Sequence, residues 1–198
     1  MAQAPSPVAA SAAAGGLGGT GELAQKITLA DYRNVGVILA VFAGLLVYFG
    51  RLADEPAPSP SLVLGPVFAM GLLVAIVWLW MVVYRNLATL RGETPSAYYV
   101  AYSGPAPADW IERPARAFNN LMQLPTLFYV VCVLMLLTQH IDRAQLAYAW
   151  LFVALRALHA IVYIAWNVVA YRFAIWLMGS LTLFILWLRF ALQAWPGF

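Results

Sequence analysis

Residues Glu112–Thr138 read ERPARAFNNLMQLPTLFYVVCVLMLLT. From Ala117 onward this stretch carries no charge and is close to the roughly 20 residues that a helix needs to cross a bilayer. Its first half is different. Glu112, Arg113, Arg116, Asn120 and Gln123 recur at spacings of three and four, so at about 100° per residue they share one helical face. Pro114 suits the start of such a helix, where its missing N–H has no partner to lose. Pro125 falls inside it and frees the carbonyl of Leu121, which predicts a local kink.

Four further apolar stretches surround this one: Val35–Gly50, Leu62–Tyr84, Gln145–Ala170 and Phe173–Ala194. Unpaired backbone groups are intolerable in lipid, and none of the runs alternates as a barrel strand does, so each is expected to be a helix. Composition agrees. Of 198 residues 64% are hydrophobic and 10% charged, with a mean hydropathy of +0.80. A soluble domain usually carries about a quarter charged residues, so this chain lacks the polar surface to face water on all sides. The expected fold is an all-α membrane protein with five transmembrane helices.

Residues 1–30 stand apart as an Ala/Gly/Pro-rich tail, read as disordered. Met1–Gln25 holds no Lys or Arg and no continuous apolar core, so it does not read as a secretory signal. The Pro/Ser-rich Asp54–Ser61 separates the first two spans, and the Gly92–Asp109 loop separates the second and third. Tryptophans near predicted ends, such as Trp80, Trp110 and Trp195, suit the membrane interface. If the spans alternate, Lys26, Arg33, Arg85, Arg91, Arg113, Arg116 and Arg172 fall on the amino-terminal side, and Arg51, Arg143 and Arg189 on the other. That excess predicts a cytoplasmic amino terminus and an external carboxyl terminus.

The fourth stretch repeats the polar pattern with Arg156, His159, Tyr163 and Asn167. Arg156 is near mid-span, where an arginine costs about 2.5–3.5 kcal/mol on insertion scales and must find protein or water. Counted from the ends of two antiparallel helices at about 1.5 Å per residue, Gln123 and Asn120 lie level with Tyr163 and His159. Arg85 and Arg172 fall at the same end, so the set describes one pocket open toward the cytoplasm. Each residue has a plainer reading as well. Arg85, Arg113 and Arg172 suit interfacial anchors that snorkel to lipid phosphates, Arg156 and Asn120 suit helix-to-helix tethers, His159 suits a hydrogen-bonded structural histidine, and Tyr163 an interface tyrosine. Cys132, the single cysteine, reads as a packed small residue. No acidic residue lies within a span, no Cys/His/carboxylate set suggests a metal, and the scattered basic residues make no nucleic-acid surface.

The segment Glu112-Arg113-Pro114-Ala115-Arg116-Ala117-Phe118-Asn119-Asn120-Leu121-Met122-Gln123-Leu124-Pro125 resembles the second-helix signature of the MAPEG family, the membrane-associated proteins in eicosanoid and glutathione metabolism. Ala149–Asn167, with Ala154-Leu155-Arg156-Ala157-Leu158-His159 and Tyr163, resembles that family's third helix, and Arg172 sits where the family has a basic residue before its fourth. The likeness is greatest to the bacterial branch, which implies a bacterial inner-membrane protein.

The resemblance implies a four-helix bundle over 62–198, preceded here by an extra transmembrane helix over 31–53. It also implies a homotrimer with glutathione bound between subunits near the cytoplasmic face. By position, Arg85, Arg113, Arg116, Asn120, Gln123 and His159 would bind glutathione, and Arg172 and Tyr163 would act on its sulfur. Bidentate arginines suit the two carboxylates of glutathione, and a cation or hydroxyl near the thiol stabilises the thiolate. The family commonly has glutamate where Gln123 stands, and some members have arginine at Asn119. Two functions follow: a glutathione-dependent transferase or peroxidase acting on lipophilic electrophiles, or a non-catalytic scaffold serving as a subunit or lipid-binding partner.

Overall fold

The computed structural model describes residues 28–101 and 106–195. The expected tail lies, up to residue 27, outside the described residues. The described residues form seven α-helices in chain order and no strand: α1 Leu29–Arg51, α2 Leu64–Leu90, α3 Ser96–Ala101, α4 Asp109–Leu121, α5 Leu124–Thr138, α6 Arg143–Ala165 and α7 Val169–Ala194. With α4 and α5 taken as one interrupted span, five helical segments are long and apolar enough to cross a membrane.

Cap chemistry explains most of the ends. Thr28 and Asp31 form a reciprocal capping box that starts α1, two turns before Val35, so the first span is not the short one its hydropathy suggests. α2 begins with a 3₁₀ turn at Pro60–Val63 and runs past the expected end at Tyr84 to Leu90. There Gly92 adopts φ 71°, and the N–H groups of Gly92 and Glu93 bond to the carbonyls of Thr89 and Ala88. This left-handed cap favours glycine because no Cβ meets the carbonyl. The Gly92–Asp109 loop contains the short helix α3. Asp142 and Gln145 form a second capping box at the start of α6.

Three expectations are corrected. Pro114 is not at a helix start but inside α4, which opens five residues earlier at Asp109. The third span is broken rather than kinked: α4 stops at Leu121, Gln123 takes a non-helical φ −91°, ψ −87°, and Pro125 sits in the first turn of α5. Proline at a helix start costs nothing there, which makes an interruption easier than a bend. α6 ends at Ala165, not Ala170. Asn167 turns the chain with φ 55°, its N–H on the Val162 carbonyl at 2.8 Å, so it leaves the helical face expected for it.

α6 is the central helix. It packs most extensively on α7, and also on α1, α2 and α4, and much of its length is buried. Phe128, Val131, Cys132 and Met135 of α5 meet Ala144, Tyr148 and Phe152 of α6 and Leu186 of α7 in one core cluster. Cys132 is thus a packed residue. At the other end Val77, Ala117, Leu121, Ala160 and Tyr163 join α2, α4 and α6. α1 lies on the outside. Phe42 is its one buried residue, seated among Leu155, Val162, Ile175 and Met178 of α6 and α7. Outward-facing Phe68, Leu72, Leu137 and Phe184 are more than 60% exposed, an apolar surface suited to a bilayer rather than to water. This is an integral membrane protein.

Candidate functional site

Asn120, His159, Val169, Arg172, Phe173 and Trp176 line one cavity of about 410 Å³, a size within the range of small-molecule sites. Each comes from an element that fixes it. Asn120 is on the last turn of α4, held in place by the burial of Ala117 and Leu121. His159 projects from buried α6 and is 3% exposed. Arg172 lies in the first turn of α7, not before it, because the Asn167 turn ends within two residues.

The cation is oriented from two sides. The Arg172 guanidinium carbon is 3.6 Å from the centroid of the Tyr163 ring, a cation–π stack, and Nη1 donates to Asn167 Oδ1 at 2.5 Å. The rings of Tyr163 and His159 meet edge to face at 5.8 Å. Asn120 Oδ1 is buried with no hydrogen-bond partner, which is costly unless something donates to it. The cavity therefore offers a fixed cation, an acceptor without a donor, and apolar walls from Phe173 and Trp176.

The remaining polar residues are placed differently. Arg113 Nε donates to Asp109 Oδ2 at 2.5 Å and Arg116 Nη2 to Asp109 Oδ1, so one carboxylate serves two guanidiniums. Arg85 pairs with Glu112 at 2.9 Å and stacks over Tyr99, its guanidinium carbon 5.0 Å from the ring centroid. Burial and the neighbouring Glu112 carboxylate raise the Tyr99 phenol pKa above its ordinary value. Gln123, exposed at the break between α4 and α5, does not line the cavity. In this single chain Asn120, His159, Tyr163 and Arg172 come together, while Arg85, Arg113 and Arg116 occupy an ion-paired cluster of their own.

Arg156 is fully buried. Nη2 donates to the Trp176 carbonyl at 3.1 Å, which ties α6 to α7, while Nε and Nη1 have no hydrogen-bond partner. The carbon is 5.4 Å from the centroid of the Phe152 ring. Gly179 admits the head group: a Cβ there would overlap it.

A polar network at the opposite end escaped the sequence reading. Asp142 accepts from Arg189 at 2.7 Å and Gln193 at 2.5 Å, and Gln145 donates to Gln193 at 3.0 Å. Its one available signal was the Asp142-x-x-Gln145 capping pattern, which does not reveal the partners on α7.

The MAPEG family model matches residues 63–192. No curated protein and no solved structure matches the chain. The matched region takes in α2 to α7 and leaves α1 outside, and on that match this chain belongs to the MAPEG family, which includes glutathione transferases and peroxidases as well as non-catalytic members.

Proposed function

We propose that the chain is a glutathione-dependent membrane enzyme that conjugates or reduces lipophilic electrophiles, lipid peroxides among them. The observation that carries this reading is the Arg172 guanidinium stacked on Tyr163 beside the unpartnered Asn120 oxygen, in one cavity with His159. The residues fit glutathione in chemistry. Arg172 is the cation that stabilises a thiolate, Asn120 Oδ1 accepts from an ammonium, and the apolar wall admits a lipophilic partner from the bilayer. In conjugation the thiolate attacks an electrophilic carbon and displaces its leaving group. In peroxide reduction it attacks the peroxide oxygen and releases the alcohol, and a second glutathione converts the resulting sulfenic acid to disulfide and water.

Glutathione has two carboxylates, and the cavity holds a single arginine. Arg116 on α4 and Gln123 at the break after it are exposed, where a neighbouring copy can share them. We extend the proposal to a homotrimer whose sites lie between subunits, in a bacterial inner membrane with the amino terminus and the arginine-rich end on the cytoplasmic side that basic residues favour.

One observation favours the scaffold reading instead. Asp109 already engages Arg113 and Arg116, and Glu112 engages Arg85, so arginines that would hold carboxylates have acids of their own. Titration calorimetry of glutathione into the detergent-purified chain separates the two. The enzyme reading expects saturable binding that Arg172→Gln weakens about ten- to a hundredfold, the range of a charged hydrogen bond, together with thiolate absorbance on mixing. No heat of binding in the wild type leaves the scaffold reading.

A further inference from the structure

A second cavity, of about 310 Å³, is lined by Trp80, Tyr84, Trp110, Ile161, Ile164 and Ala165. It is separate from the first. At about 100° per residue, Ile161 and Ala165 face away from the His159–Tyr163 side of α6. Trp80 and Tyr84 are one turn apart on α2, and Trp110 stands in the first turn of α4. The Tyr84 ring meets both indoles edge-on, at 5.9 Å from Trp80 and 5.6 Å from Trp110. The floor is the last turn of α6. The lining thus gathers toward one end of the three helices, and Trp and Tyr rings near span ends suit the headgroup level of a bilayer.

The charge at the mouth selects what can enter. Arg113 follows Trp110 by one turn, and its Nη1 reaches the Ala165 carbonyl at 3.5 Å, which sets the guanidinium at the rim beside a lining residue. Asp109 is shared between Arg113 and Arg116, so these three groups carry one net positive charge. Arg85 and Glu112, the next pair along, cancel. Aromatic walls alone would suit a quaternary ammonium, but a rim with surplus arginine repels one. An apolar aromatic cavity with a phosphate-seeking cation at its side describes a site for an anionic amphiphile.

We propose that this cavity is a site for one anionic phospholipid per chain, with its phosphate on Arg113, its headgroup beside Trp110 and its upper acyl carbons against Trp80 and Ile161. The lipid closes the junction of α2, α4 and α6 from the bilayer side. A partner helix is a poorer occupant, because the cavity is short, with its lining residues gathered toward one end of α2, α4 and α6.

The full chain is reconstituted into bilayer discs of phosphatidylcholine doped with a small fraction of either phosphatidylglycerol or phosphatidylcholine brominated high on the chain. Tryptophan quenching is compared with that of a Trp80→Phe/Trp110→Phe variant, which isolates the cavity signal. Brominated phosphatidylglycerol is expected to quench that signal several-fold more than brominated phosphatidylcholine, and Arg113→Gln is expected to abolish the difference. Equal quenching by the two lipids overturns the proposal, as does a preference that survives Arg113→Gln. Native mass spectrometry of the wild type, offered both lipids equally, should retain one phosphatidylglycerol per chain and stands independent of any variant's folding. Equal retention of phosphatidylcholine overturns it.

Discussion

At the scale of single residues, Arg156 and Gly179 are one unit. The guanidinium needs the space that glycine leaves, and its carbonyl partner on Trp176 is within the same turn of α7. Gly179→Ala is therefore expected to destabilise the bundle by about 1–3 kcal/mol, as overpacking does. Arg156→Met removes the crowded head group, so the double variant should recover much of that loss. Stability measured by denaturation in mixed micelles checks this. Strict additivity of the two changes would show that the contact is not the cause. Arg156 was legible in the sequence as a mid-span cation that needed a partner. Gly179 was not, because nothing in an apolar run tells which small residue stands opposite a guanidinium.

At the scale of elements, α1 is the spanning helix least explained by apolar packing, since Phe42 is its one buried residue and lipid suits its surface as well as protein does. Polar contacts hold both of its ends. Tyr171 donates to Asp31 at 3.1 Å and accepts from Asn34 at 3.2 Å, while Tyr148 donates to the Leu46 carbonyl at 2.9 Å. Tyr171 adjoins Arg172, so the first clasp also braces the cavity rim. Interhelical hydrogen bonds in membranes average about 0.6 kcal/mol, so Tyr171→Phe should loosen α1 without unfolding the bundle. The expected result is faster hydrogen exchange confined to the first turns of α1 and α7. Unchanged exchange there would mean that packing alone holds α1. The five spans were legible from hydropathy. Their ends were less so, because caps at Thr28, Gly92 and Asn167 and the break before Pro125 depend on local hydrogen bonds that average hydrophobicity does not register.

At the scale of the whole molecule, assembly and orientation carry the functional reading. If neighbouring copies complete the site, native mass spectrometry in detergent should show a trimer. A clean monomer would leave the second carboxylate of glutathione without a cation. The excess of arginine at the end that holds both cavities predicts that end to be cytoplasmic. Reporters placed after Gly104 and after Phe198 should then report the inside and the outside, respectively. Both on one side would contradict five crossings.

The sequence alone determined that this chain lives in a bilayer, that its spans are helices, and that polar residues concentrate at one end of two of them. Those properties follow from composition and period, which are local and additive along the chain. What only the tertiary structure decided is which polar groups meet. Arg172 finds Tyr163 because the Asn167 turn folds α7 back against α6, and Asp109 draws Arg113 and Arg116 away because α4 starts earlier than its proline suggests. One polar face on the helical wheel thus becomes a cavity and an ion-paired cluster. Partner choice among several arginines and few acids depends on ångström-scale placement of helix starts, and spacing along a sequence fixes direction around a helix but not the distance to the next one.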